Sequence, residues 1–172
     1  VVMQHPVTTE YEKARSHVNQ TLEAVNELNV QTIWFWPNVD AGSDGTSKGI
    51  RSFRENHSLK NVNFIKNMEP TDFLNLLKNT KCLIGNSSVG IRECAYMGVP
   101  VVNIGTRQNK RDRGDNVIDV DYNKNVILQA INDCINSERP NSSNIYGGGD
   151  AGKKIADILS SVQLKFHKTI TY

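Results

Sequence analysis

Along this chain, short apolar runs alternate with longer segments in which apolar residues recur every three or four positions. Six runs have the length and β-branched content of strands: Val1–Gln4, Gln31–Trp36, Val62–Ile65, Cys82–Gly85, Val101–Ile104 and Val117–Val120. Helical stripes lie between them. Tyr11–Leu28 carries Ala14, Val18, Leu22, Val25 and Leu28 on one face, with Thr9 and Glu12 spaced as a capping box. A second helix opens after Pro37–Ser43 and runs to about Asn56, and Phe73, Leu74, Leu76 and Leu77 mark a third. A short helix over Val89–Met97 is stopped by Gly98 and Pro100. Lys124–Ser137 and Ala151–Gln163 complete the series. Strand and helix alternate with short connections, which predicts an α/β fold: a doubly wound parallel sheet, Rossmann-like, with right-handed crossovers. The domain is expected over 1–164, with 165–172 a C-terminal tail.

In such a sheet, ligands bind outside the carboxyl ends of the strands. Polar clusters follow five of the strands: His5, Asn38–Ser43, Asn67–Glu69, Asn86–Ser88 and Gly105–Arg107. All five should therefore share one edge of the sheet. The stretch Lys81–Gln108 is the centre of this pattern, a buried strand, a turn of small polar residues and a helix start. Unpaired N–H groups and the dipole at a helix start favour an anion. Ser87 and Ser88 add hydroxyls, and Gly90 allows a close approach to the backbone. Glu93, an acceptor-only carboxylate, suits a vicinal diol such as a ribose presents. Arg107 can bring a fork of donors to the same phosphate. A plainer account is that Ser88 caps the helix and Glu93 answers its dipole. His5 could likewise do no more than satisfy a carbonyl beside Pro6, and Asp40 and Ser43 no more than open the next helix. Trp34 and Trp36 share a strand face and are expected to pack under helices.

Composition narrows the partners. The net charge of +2 in 172 residues argues against a nucleic-acid surface, and Arg107–Gly114, the densest basic patch, is interrupted by Asp112. Cys82, Cys94 and Cys134 have no metal-ligand or CxxC spacing and read as reduced packing thiols of a cytoplasmic protein. His17, His57 and His167 read as surface residues. No apolar run reaches the length of a membrane span, so no membrane partner is expected. The chain opens in what reads as a core strand, without a leading methionine, so an N-terminal portion is expected to be missing.

The strings HPVTTE, PNVDAGS, GNSSVGIRE, GVPVVNIGTRQ and YGGG, in this order, resemble the UDP-N-acetylglucosamine 2-epimerases. The resemblance extends to about Leu164. It implies the C-terminal, nucleotide-binding half of a GT-B-type two-domain fold. GNSSxGxRE followed by GTRQ resembles the hydrolysing subgroup, which converts UDP-N-acetylglucosamine and water to N-acetylmannosamine and UDP, a reaction of amino-sugar and sialic acid metabolism. Residue by residue, it implies that Ser87 and Ser88 bind the diphosphate, Glu93 the ribose, and Arg107 the UDP charge. The Asn67–Met68 backbone would meet the uracil. Asn38, Asp40 and Ser43 would line the sugar side, with His5 a catalytic or orienting group near sugar and phosphate. Where YGDG is more usual this chain has Gly147-Gly148-Gly149, with Asp150 one place late. No cofactor is implied. The partners implied are UDP or UDP-N-acetylglucosamine, the missing N-terminal domain with its acid and base carboxylates, and further copies in a full-length homo-oligomer. The alternative is the UDP-sugar-binding half of a GT-B glycosyltransferase.

Overall fold

The structure, a computed structural model, describes residues 1–163 and 167; the tail expected from Lys165 onward otherwise lies outside the described residues, as does the boundary at Leu164. Six strands form one parallel sheet: β1 (Val2–Met3), β2 (Thr32–Phe35), β3 (Val62–Ile65), β4 (Leu83–Gly85), β5 (Val101–Ile104) and β6 (Val117–Val120). Their order is β3-β2-β1-β4-β5-β6, and every pairing is parallel. The doubly wound Rossmann-like sheet expected from the sequence is thus present.

Helices cover both faces because the central strands are apolar on both. Alternation assigns the sides. Ile84, Val102 and Ile104 join a core with Val18 and Leu22 of α1 (Ala14–Leu28), Ile50 of α2 (Ser43–Asn56), and Ile127 and Ile131 of α6 (Lys124–Asn136). Leu83 and Val101, one position out of phase, face Leu77 of α3 (Pro70–Asn79) and Cys94 of α5 (Glu93–Met97). Trp34 is fully buried in the first core and lies against Phe64, as does Trp36, so both tryptophans pack as expected. The three cysteines are buried and free.

Local departures from the sequence reading have physical causes. The first helix starts as a 3-10 segment, Thr8–Lys13, entered from Val7 without a side-chain cap, so the Thr9–Glu12 capping box does not form. The helix expected over Val89–Met97 is two pieces, α4 (Ser88–Ile91) and α5, broken at Arg92, whose ψ of −79° departs from the helical value. The last helix, α7 (Ala151–Ser161), forms, yet Ile155, Ile158 and Leu159 on its apolar stripe are 56–61% exposed. No described helix is long and apolar enough to cross a membrane.

Candidate functional site

Strand order reverses between β1 and β4. Connections leaving two such strands diverge to opposite faces, and the gap between them is the usual ligand crevice of a doubly wound sheet. Here the gap is bridged by one side chain. Asn86, fully buried just past β4, accepts the His5 N–H on Oδ1 at 2.7 Å and donates from Nδ2 to the His5 carbonyl at 2.8 Å. Its own carbonyl accepts from Arg107 Nη1 at 3.2 Å and Gln108 Nε2 at 2.7 Å, both just past β5. The ends of β1, β4 and β5 are therefore tied through one residue. Gly85 makes the approach possible. Its φ is +128°, and a Cβ there would lie 2.2 Å from the Met3 carbonyl oxygen, so only glycine lets β4 run this close to β1.

His5 is buried, and its Nδ1 lies 3.2 Å from the Asn38 backbone N–H. Burial pushes its pKa down to about 4, the Arg107 charge pushes the same way, and Asp40 opposes them weakly. At neutral pH the ring is uncharged. Arg107 is half-buried and stands 3.7 Å from Asp40. At that separation the pair is loose, and the guanidinium retains donors for a further acceptor.

The turn after Asn86 is partly committed. The Ser87 hydroxyl accepts from the Val89 N–H at 3.4 Å and caps α4, so the cap expected at Ser88 is one residue earlier. The Ser88 hydroxyl makes no hydrogen bond among the described residues and is half-exposed. Since α4 is a single turn, its dipole contributes less than the continuous helix expected from the sequence. Gly90 was expected to open the backbone to a ligand. It is instead buried, and a Cβ on it would lie 2.9 Å from Val101 Cγ1, so its small size seats α4 on the sheet. Glu93 opens α5. One carboxylate oxygen meets Arg92 at 3.3 Å near solvent, while the other is buried without a hydrogen-bond partner. An unsatisfied buried carboxylate oxygen costs free energy that a ligand hydroxyl would recover.

The remaining predicted residues are less tightly gathered. Asn38 joins the group only through its backbone, and its side chain is exposed; Asp40 meets Arg107, and the Ser43 N–H bonds the Asp40 carbonyl. Asn67 and Met68 lie on the same edge but follow β3, two strands from β1, and no hydrogen bond joins their side chains to the His5–Asn86–Arg107 group. Sequence reading missed Asn86 and Gln108 as ties, for their partners are distant along the chain. It also missed a flanking cluster. Thr106 donates to Glu10 at 2.6 Å, and His17, expected at the surface, stacks on Tyr122 with ring centroids 3.5 Å apart. Burial pushes the Tyr122 hydroxyl up to about 12, so it stays protonated. Void volume does not mark this site: a cavity of about 520 Å³ lined by Val1, Thr32, Cys82 and Ile131 lies at the opposite ends of the strands. Polar convergence marks it.

Known proteins agree with this architecture. The chain is 32% identical over 164 residues to UDP-N,N'-diacetylbacillosamine 2-epimerase (hydrolyzing) of Legionella pneumophila, covering 95% of this chain and 43% of that protein. It is 30% identical over 164 residues to the UDP-N-acetylglucosamine 2-epimerase of Neisseria meningitidis, covering 94% and 42%. A third relative, polysialic acid biosynthesis protein P7 of Escherichia coli, is 32% identical over 134 residues, 77% of this chain and 34% of that one. The chain thus spans less than half the length of these relatives. In fold it is similar to the Methanocaldococcus jannaschii UDP-GlcNAc 2-epimerase solved in complex with UDP-GlcNAc and UDP. The TM-score is 0.72 at 21% identity, with 92% of this chain and 44% of that one covered, the share expected of one half of a GT-B-type fold. A sequence model of the family described as UDP-N-acetylglucosamine 2-epimerase matches residues 1–160, and the chain belongs to that family.

Proposed function

We propose that residues 1–164 form the UDP-binding half of a hydrolysing UDP-N-acetylglucosamine 2-epimerase, with the crevice between β1 and β4 as the diphosphate site. What supports this reading is the unspent polar groups carried by the segments that follow β4 and β5. Ser88 offers a free hydroxyl, Arg107 a guanidinium held loosely by Asp40, and Glu93 a buried oxygen without a partner. Phosphate oxygens satisfy the first two, and ribose hydroxyls satisfy the third. Ser87 supports the turn from behind. Asn38, Asp40 and Ser43 line the sugar side, the Asn67–Met68 backbone meets the uracil edge, and Gly90 contributes by seating α4 rather than by touching ligand.

In the proposed reaction a base removes the C2 proton, the C1–O bond breaks anti to it, and UDP departs to leave a glycal. Water then adds across the double bond with the opposite configuration at C2, giving N-acetylmannosamine. The charge that develops on departing UDP is stabilised by Arg107 and the polar turn at Ser87 and Ser88. The proton-transfer carboxylates belong, on this reading, to the part of the whole protein that faces this crevice. The chain alone is therefore inert. Names of relatives support the hydrolysing outcome, since the Legionella pneumophila protein carries that word. Three free thiols suit a cytoplasmic setting, and homo-oligomerisation is expected of the whole enzyme.

Incubation with UDP-N-acetylglucosamine tests the division of labour. The whole protein should release N-acetylmannosamine and UDP, and this chain neither. Release by the chain alone would overturn the placement of acid and base, and transfer of the sugar to an acceptor would favour a glycosyltransferase half.

A further inference from the structure

The two nitrogens of the His5 ring have unlike surroundings. Nδ1 faces the Asn38 backbone N–H at 3.2 Å, a group that can only donate, so Nδ1 is the unprotonated acceptor. A neutral ring then carries its proton on Nε2, which makes no hydrogen bond among the described residues. The ring is presented from a fixed stretch of main chain. Both backbone polar groups of His5 are gripped by the Asn86 side chain, at 2.7 and 2.8 Å, in fully buried surroundings.

We infer that His5 is a neutral hydrogen-bond donor through Nε2–H, rather than a base or a cation, and that Asn86 is the positioning residue that keeps it so. Two charged groups face the ring. Arg107, from the segment after β5, disfavours a second positive charge, and Asp40, from the loop after β2, favours one. The Asn86 backbone carbonyl separately anchors Arg107 Nη1 at 3.2 Å, a contact that a side-chain substitution leaves in place. The one lone pair that could accept a proton is occupied by the Asn38 amide, so acting as a base would require breaking that bond. Donation from Nε2 requires no rearrangement. The identity of the acceptor rests on the nucleotide reading: an anionic diphosphate or leaving-group oxygen in the crevice takes a neutral N–H donor without adding to its net charge. The β2–α2 loop, by placing the Asn38 N–H, sets the tautomer.

Nitrogen NMR of the isotopically labelled 172-residue chain reads this directly. At pH 7 the His5 Nδ1 should resonate as unprotonated and Nε2 as protonated, and the ring should stay neutral until about pH 4, against an ordinary 6.5. Asn86→Ala should mix the tautomers and raise the midpoint by about one unit, tenfold in proton affinity. Should that variant not fold, Asn38→Pro, which deletes the N–H at an exposed position, should mix the tautomers by itself. A wild-type ring protonated on Nδ1 or titrating near 6.5 would overturn the inference, as would an unchanged tautomer in both variants. These results are read on the free chain and stand whether or not UDP binds. With UDP bound, a shift at Nε2 supports the donor role and its absence removes it. Failure of UDP to bind instead counts against the nucleotide reading.

Discussion

Two strand-to-helix turns border the crevice, and they are built differently. The main chain of the turn after β4 is held in place before any ligand arrives, though Ser88 keeps its hydroxyl free. Asn86 is fully buried with both ends of its amide and its carbonyl engaged, and Ser87 caps the next helix. The loop after β2 is not held in this way. Val39 is fully exposed, Gly42 leads into α2 without a side-chain cap, and Asp40 reaches Arg107 only at 3.7 Å. One wall of the site is thus preorganised and the other waits. Preorganised donors lose little freedom on binding, so the β4 wall should supply most of the affinity for phosphate. The β2 wall should contribute less to the affinity of this chain.

The largest effect expected from this contrast is in the preorganised wall. Asn86→Ala leaves the His5 N–H and carbonyl buried and unpaired, and should lower unfolding free energy by about 2–4 kcal/mol in a denaturant titration. A loss below about 1 kcal/mol would mean that water reaches those groups and the wall is not preorganised.

Acid should act almost as strongly. Folding holds the His5 pKa near 4 against 6.5, so between those values the unfolded chain binds the extra proton. The stability contribution is whole above pH 6.5, falls with pH through that window and is lost near pH 4, about 3 kcal/mol in total. Unfolding at pH 7.5 and 4.5 should therefore differ more for the wild type than for His5→Gln, whose side chain does not titrate. Equal differences would place the acid sensitivity elsewhere.

Glu93→Ala separates binding from folding. Because one carboxylate oxygen is buried and unpaired, its removal should leave stability unchanged or slightly raised, while UDP affinity falls about tenfold. A stability loss with UDP binding intact would make Glu93 structural. The smallest effect is expected in the open wall. Asp40→Ala breaks a partly exposed ion pair and should cost below about 0.5 kcal/mol of stability, with UDP affinity of the isolated chain barely altered.

The contrast also marks how far the sequence could be read. Strand and helix alternation is local, so the six strands, their parallel sheet and the edge at which the turns carrying His5, Ser87, Ser88 and Arg107 follow their strands were legible. Asn86 was visible as a turn residue. Its use as a tie was not, because its partner His5 is 81 positions away and no local pattern encodes such a bond. The break at Arg92 escaped for the opposite reason: Ile91, Cys94 and Ala95 continue an apolar rhythm across it, and all three are buried. Gly90 shows how a residue type underdetermines its use. A missing Cβ suits close approach by either a ligand or a strand, and here Val101 takes the space. The stripe of α7 illustrates a further limit. Its spacing specifies an amphipathic helix as clearly as that of α6, yet α6 buries Ile127 and Ile131 while Ile155 and Ile158 of α7 remain exposed.

If the crevice is a preformed half-site for a nucleoside diphosphate, calorimetric titration with UDP, with UMP and CMP as controls, will show it. UDP should bind clearly better than UMP, and the preference should vanish when Ser88→Ala and Glu93→Ala are combined. UDP bound no better than UMP, or not bound at all, would contradict that reading.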